Sequence, residues 1–94
     1  MLEKEIEKRL VAEVKKNGGI ALKFTSPGFD GMPDRIILMK KGRISFVEVK
    51  APGKKPRPLQ LQRHDMLRKL GFKVYVLDNV NEIARIIGET NGTS

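Results

Sequence analysis

From residue 2 to residue 17, apolar side chains fall at Leu2, Ile6, Leu10, Val11 and Val14 with charged residues between them. That spacing predicts an amphipathic helix, and Gly18-Gly19 supplies a left-handed stop. The period then changes. Ile20 to Thr25 reads as a strand, and Ser26 to Pro33, with its glycines and prolines, reads as a shaped loop rather than a slack tether. Asp34 to Met39 and Arg43 to Lys50 are β-rich runs on either side of Lys40-Lys41-Gly42, which predicts a three-residue hairpin loop with Gly42 left-handed. A second loop, Ala51 to Arg57, leads to Pro58 in the first turn of a helix running to Leu70, with Leu59, Met66, Leu67 and Leu70 as its expected buried row and Gly71 as its stop. Lys73 to Leu77 reads as a short strand. Asn79 with Glu82 resembles a capping box that opens a last helix through Val80, Ile83, Ala84 and Ile87. The order helix, three strands, helix, strand, helix predicts one α/β domain over residues 1–88, a mixed sheet flanked by helices, with residues 89–94 as a flexible tail.

The hairpin has a chemical consequence. If Met39 pairs with Arg43, counting outward by equal steps brings Asp34 opposite Glu48, on one face and roughly 5 Å apart at Cβ. Alternation puts Lys50 on the face of Glu48, while Val47 and Val49 turn into the core. Two carboxylates and a lysine so placed can build a metal-dependent phosphodiester-cleaving site, and a slip of one residue would send the acids to opposite faces. Magnesium takes oxygen ligands, keeps several waters and binds through one or two carboxylates plus substrate phosphate. Asp34 and Glu48 suit that demand, with the Val49 carbonyl as a further ligand. Lys50 is expected to manage the attacking water or to offset charge on the phosphorus. Gln60, in the first turn of the following helix, is placed to hold the same water or a phosphate oxygen, whereas His64 and Gln62 read as surface residues. Glu3 and Glu7 fall inside the apolar stripe of the first helix. They either satisfy the helix dipole near its start or send one carboxylate to the metal site.

Composition narrows the chemistry. Without cysteine and with a single histidine, the 94-residue chain has no thiolate-bound zinc and no site built from several imidazoles. Nineteen lysines and arginines against eleven acids give a net charge of +8, which suits a polyanionic partner. Lys50, Lys54, Lys55, Arg57 and Arg63 lie in a stretch free of acids, so Lys54, Lys55, Arg57 and Arg63 are the expected nucleic-acid contacts. No run approaches the roughly 20 apolar residues needed to span a bilayer, and no signal sequence is evident, so a soluble, cytoplasmic protein is expected. A small organic cofactor is not expected. A short chain buries a modest core, and a second subunit would extend it.

Gly31-Met32-Pro33-Asp34-Arg35, the stretch from Phe46 to Pro56 around Glu48-Val49-Lys50, and Pro58-Leu59-Gln60 together resemble the VRR-NUC nuclease family of the PD-(D/E)xK superfamily. The likeness spans residues 3 to 78. It implies an αβββαβ core, dependence on Mg2+ with Mn2+ as substitute, metal-binding acids at Asp34 and Glu48, the motif lysine at Lys50 and the motif glutamine at Gln60. The first-helix acid falls on Glu7, with Glu3 fitting nearly as well. Stand-alone members of phage and bacterial type further imply a homodimeric, structure-selective endonuclease acting on branched DNA such as Holliday junctions, in recombination or DNA repair. Flaps, nicked DNA and RNA are alternative substrates, and a non-catalytic nucleic-acid-binding module is the competing class.

Overall fold

Ile6, Leu10 and Val14 recur at one-turn spacing along α1 (Glu3–Lys16) and are all buried, so the apolar stripe read from the sequence is the face this helix packs inward. The structure, a computed structural model, describes residues 1–92; Thr93 and Ser94, which end the expected tail, lie outside the described residues. After α1 the chain stops on Gly18 at φ 86°. Gly19 has a different reason to be glycine, because an added Cβ would sit 2.6 Å from the Leu38 carbonyl oxygen.

Four strands follow: β1 (Ile20–Lys23), β2 (Arg35–Met39), β3 (Arg43–Val49) and β4 (Lys73–Leu77), in the spatial order β1-β2-β3-β4. The first two junctions are antiparallel, and the β3–β4 junction is parallel, with α2 (Pro58–Lys69) as the crossover that a parallel pair requires. The sheet is therefore mixed, as the element order predicted. Strand β1 is shorter than expected, although Phe24 N–H still donates to the Asp34 carbonyl at 2.8 Å and carries the pairing to the edge of the site. In the hairpin loop Gly42 is left-handed at φ 69°, as expected, but Lys41 is too, at φ 65°. Two successive positive φ values belong to tight hairpin turns, and the second of them falls on the glycine.

Helices α1 and α3 (Ile83–Thr90) cover one face of the sheet, where Ile6, Leu10 and Val14 meet Ile37, Val47, Leu77 and Ile86. Helix α2 covers the other face through a smaller cluster of Phe46, Leu67 and Val74, with Phe24 and Phe72 packing edge-on to Phe46 at 5.6 and 5.5 Å. The buried row of α2 differs from the expected one. Gln60, His64 and Leu67 face inward, Leu59 is exposed, and Leu70 is 68% exposed. Leu67 of the expected row is kept, but in the first half of the helix Gln60 and His64 take the inward positions in place of Leu59, because the sheet there presents a carboxylate rather than hydrocarbon.

The tail boundary also moves. Glu89 and Thr90 belong to α3: Thr90 is buried, its hydroxyl lies 2.8 Å from that of buried Ser45, and Tyr75 donates to Glu89 at 2.9 Å. Residues 89–90 are thus part of the folded unit rather than a tail, because the Thr90 hydroxyl and the Glu89 carboxylate find partners on β3 and β4. A 3-10 turn at Val80–Glu82 precedes α3, with Asn79 Oδ1 accepting from Asn81 N–H at 2.9 Å. Among the described residues no helix is long and apolar enough to cross a membrane.

Candidate active site

Strand register decides whether the two acids meet. Met39 is paired with Arg43, Ile36 with Phe46 and Arg35 with Val47, so the next step outward sets Asp34 beside Glu48. A hydrogen bond fixes the first acid, since Asp34 Oδ2 accepts from the Val49 N–H at 2.8 Å. The preceding loop delivers it: Pro33 is fully buried, and Arg63 on α2 donates to the Asp30 carbonyl at 2.7 Å while its guanidinium lies 3.8 Å over the Phe29 ring. Gly31, at φ 89°, is where this loop presses on α2, since an added Cβ would meet Leu59 Cγ at 2.9 Å. Arg63, expected as a nucleic-acid contact, is thus a clamp on the loop that carries Asp34.

Glu48 is 1% exposed, an unusual position for a carboxylate, and its neighbours explain how it is held. Gln60 Nε2 donates to Oε2 at 2.9 Å. The other end of the same amide accepts the Arg57 N–H at 2.8 Å, so the bond that closes the first turn of α2 also orients Gln60 toward the acid. Lys50 Nζ stands 3.6 Å from Oε2, on the face that strand alternation predicted. His64, one turn after Gln60, is completely buried with Nε2 3.6 Å from Glu48 Oε1. That is beyond hydrogen-bond reach, and among the described residues Glu48 Oε1 and both His64 ring nitrogens find no hydrogen-bond partner. The surface role read for His64 is therefore wrong. The signal for it was its spacing of four from Gln60, which stacks both on one helix face.

Burial pushes the Asp34 carboxyl up to about 6, against the pull of the Val49 N–H, and the charge and hydrogen bonding of Glu48 and then the charge of Glu3 push it the same way. Among the first-helix acids, Glu3 is the one whose charge bears on Asp34. Glu7 is not: its Oε2 takes Arg35 Nε at 2.8 Å, and Arg35 also donates to the Ala21 carbonyl. Arg35 points to the opposite face of β2 from Asp34, as neighbours in a strand do, and it draws Glu7 with it.

Two crowded carboxylates, one with an unsatisfied oxygen and one held well above its usual range, demand a proton or a cation. No three His, Cys, Asp or Glu side chains converge as a closed metal site among the described residues. An open pair of this kind fits a hard divalent ion that keeps waters and takes further oxygens from its substrate. Asp34, Glu48, Lys50 and Gln60 are brought together, with the Val49 backbone against Asp34. Lys54, Lys55 and Arg57 stand exposed on the adjoining loop, outside the cluster.

The family pattern of the VRR-NUC domain matches residues 3–81 of this chain. The protein called Putative nuclease p44, of Acyrthosiphon pisum secondary endosymbiont phage 1, is 52% identical over 89 residues, covering 95% of each chain. A solved VRR_NUC domain superposes with a TM-score of 0.85 at 32% identity, over 90% of this chain and 92% of its own. With the matched segment running from the first helix through the last strand, the chain belongs to the VRR-NUC domain family.

Proposed function

We propose that this protein is a Mg2+-dependent endonuclease that hydrolyses phosphodiester bonds in branched DNA. The observation that carries this reading is the convergence of Asp34 and Glu48, on adjacent strand ends, with Lys50 and Gln60 at the second acid. A divalent ion held by the two carboxylates would supply a Lewis acid and lower the pKa of a bound water. Val49 contributes its carbonyl on the Asp34 side, because the N–H and C=O of a strand residue point to the same neighbour. Lys50, 17% exposed at its side chain, stands between buried Glu48 and solvent, where its ammonium can orient the attacking water or offset charge gathering on the phosphoryl oxygens. Gln60 fixes the posture of Glu48 rather than holding the water, since both ends of its amide are engaged. Lys54, Lys55 and Arg57 grip phosphates beside the cut.

A preference for branched or distorted DNA follows from size: the extents are 32 × 31 × 24 Å, and among the described residues each of the three α-helices is anchored in the core, with none left over as a separate major-groove reader. A homodimer is part of the proposal. Ile20, Leu38 and Ile44 lie side by side across three strands on the α2 face, and Ile20 is 51% exposed, so an apolar strip is left for a second copy to cover.

The test is a panel of labelled four-way, flap, nicked, linear and RNA substrates incubated with Mg2+ or Mn2+. Wild type should cut the branched DNA, and Asp34→Asn should lose at least 100-fold in rate while binding stays intact or tightens. Binding without cutting by wild type under every condition would identify a non-catalytic binding module instead.

A further inference from the structure

On the face of the sheet opposite α2, an open groove of about 820 Å³ runs between α1 and β1, and the site described above does not use it. Its walls carry Lys4, Lys8, Arg9, Lys15, Lys23 and Arg35. Only two acids share them, and both are engaged: Glu5 accepts the Leu2 N–H at 2.9 Å, and Glu7 is held by Arg35. Among the described residues none of Lys4, Lys8, Arg9, Lys15 and Lys23 makes an ion pair, and all five are exposed. Lys4, Lys8 and Lys15 fall within about 40° of one another at the helical repeat, and Lys4 to Lys15 spans about 16 Å of axis. That is roughly five steps of one B-DNA strand at ~3.4 Å each.

Position links the groove to the chemistry. Lys23 is paired directly with Arg35 across β1–β2, and Arg35 follows Asp34 in the chain but faces the other way, so the groove passes behind the same end of β2 that carries the acid pair in front. The Lys54–Arg57 segment leaves the end of β3 and leads to α2, on the other side of those acids. The cleavage centre is thus flanked by two cationic tracks on different faces. The lining holds no aromatic ring on which an unpaired base could stack and no amide that could read a base edge. Val11 and Ala12 are its apolar lining, so the charged heads are left to do the recognition, which suits a passing phosphate backbone.

We propose that the α1–β1 groove holds, without sequence preference, the phosphate backbone of a duplex arm of the DNA being cut. This rests on the nuclease reading above and assigns the α1 face a second hold on the same substrate. Cations on opposite faces of the sheet, one set behind the acids and one on the loop beside them, favour DNA that changes direction at this end of the sheet, which a four-way junction does and a straight duplex does not.

The test compares wild type with the triple variant Lys8→Gln, Lys15→Gln, Lys23→Gln, none of which touches the acid pair; a thermal melt checks that the variant folds. Binding of a labelled four-way junction is measured against salt without divalent ions, and single-turnover cleavage is measured at saturating protein with Mg2+. The variant should bind about 10- to 100-fold more weakly at low salt, lose roughly two to three from the slope of log K against log salt, and cut at an unchanged saturated rate. Shortening the junction arms below about five base pairs should erase its difference from wild type. An unchanged slope, equal binding of long-armed and short-armed junctions by wild type, or a loss of affinity for anionic lipid vesicles but not for DNA would each overturn the groove assignment while leaving cleavage by wild type untouched. A wild type that shows the groove-dependent slope but never cuts would retain the groove and refute the nuclease.

Discussion

Asp34 carries the sharpest consequence of any single residue. Its folded-state pKa is raised to about 6 from an ordinary 3.8, so between those values the folded protein binds more protons than the unfolded chain. Metal-free stability therefore falls as pH rises through that window, and the deficit persists above it. Asp34→Asn removes it: calorimetry with chelator present should show the variant melting higher than wild type at pH 8 and equal to it near pH 3. Discounted for the solvent that still reaches Asp34, the gain is about 1 kcal/mol, on the order of 4 °C in a domain of this size. A variant that melts lower at pH 8 would refute the crowding of Asp34 by burial and Glu48. Asp34, Glu48 and Lys50 were legible in the sequence because strand alternation and a short hairpin fix faces by counting. Glu7 was not placed correctly, because its fate depends on Arg35 reaching across from another element. His64 was missed because its spacing from Gln60, the one sign of its face, was outweighed by the usual exposure of a lone helix histidine.

At the scale of elements, the end of α3 is the clearest departure from sequence expectation. Gly88 invites the reading of a helix stop, yet Thr90 donates its hydroxyl to the Ile86 carbonyl at 2.7 Å, which leaves Ser45 as the donor in the Ser45–Thr90 pair. The two deletions are therefore unequal. Thr90→Val strands a buried Ser45 hydroxyl and should cost about 1–3 kcal/mol, whereas Ser45→Ala leaves Thr90 still donating and should cost about 1 kcal/mol or less. Denaturant titration of both variants measures the difference, and equal or inverted costs would contradict this direction of donation. The α2 boundaries were readable from Pro58 and Gly71, but its inward face was not. Amphipathic reasoning assigns leucines to the core, and here the sheet needs Gln60 and His64 opposite a carboxylate.

For the whole molecule, the fold class and the mixed sheet followed from element order, since the α2 crossover makes β3 and β4 parallel. What element order left open was the distribution of charge and of uncovered hydrocarbon. The +8 balance was visible as a number, but only the fold gathers Lys4, Lys8, Lys15 and Lys23 along one groove. The strip through Ile20, Leu38 and Ile44 is the surface on which a second copy is expected. Sedimentation of wild type should give twice the 10.6 kDa chain mass, and Ile20→Lys with Ile44→Lys should give the single-chain value without loss of fold. A wild type that sediments as one chain at tens of micromolar, as an order of magnitude for a functional dimer, would remove the pairing. One small feature reaches further than its size. The amide of Gln60 joins the Arg57 backbone to Glu48, so fraying at the start of α2 and slackening of the acid become the same event. Helix ends are ordinarily the first parts of a domain to come undone; this one should exchange its Arg57 amide proton as slowly as the interior does, for as long as Glu48 keeps its grip.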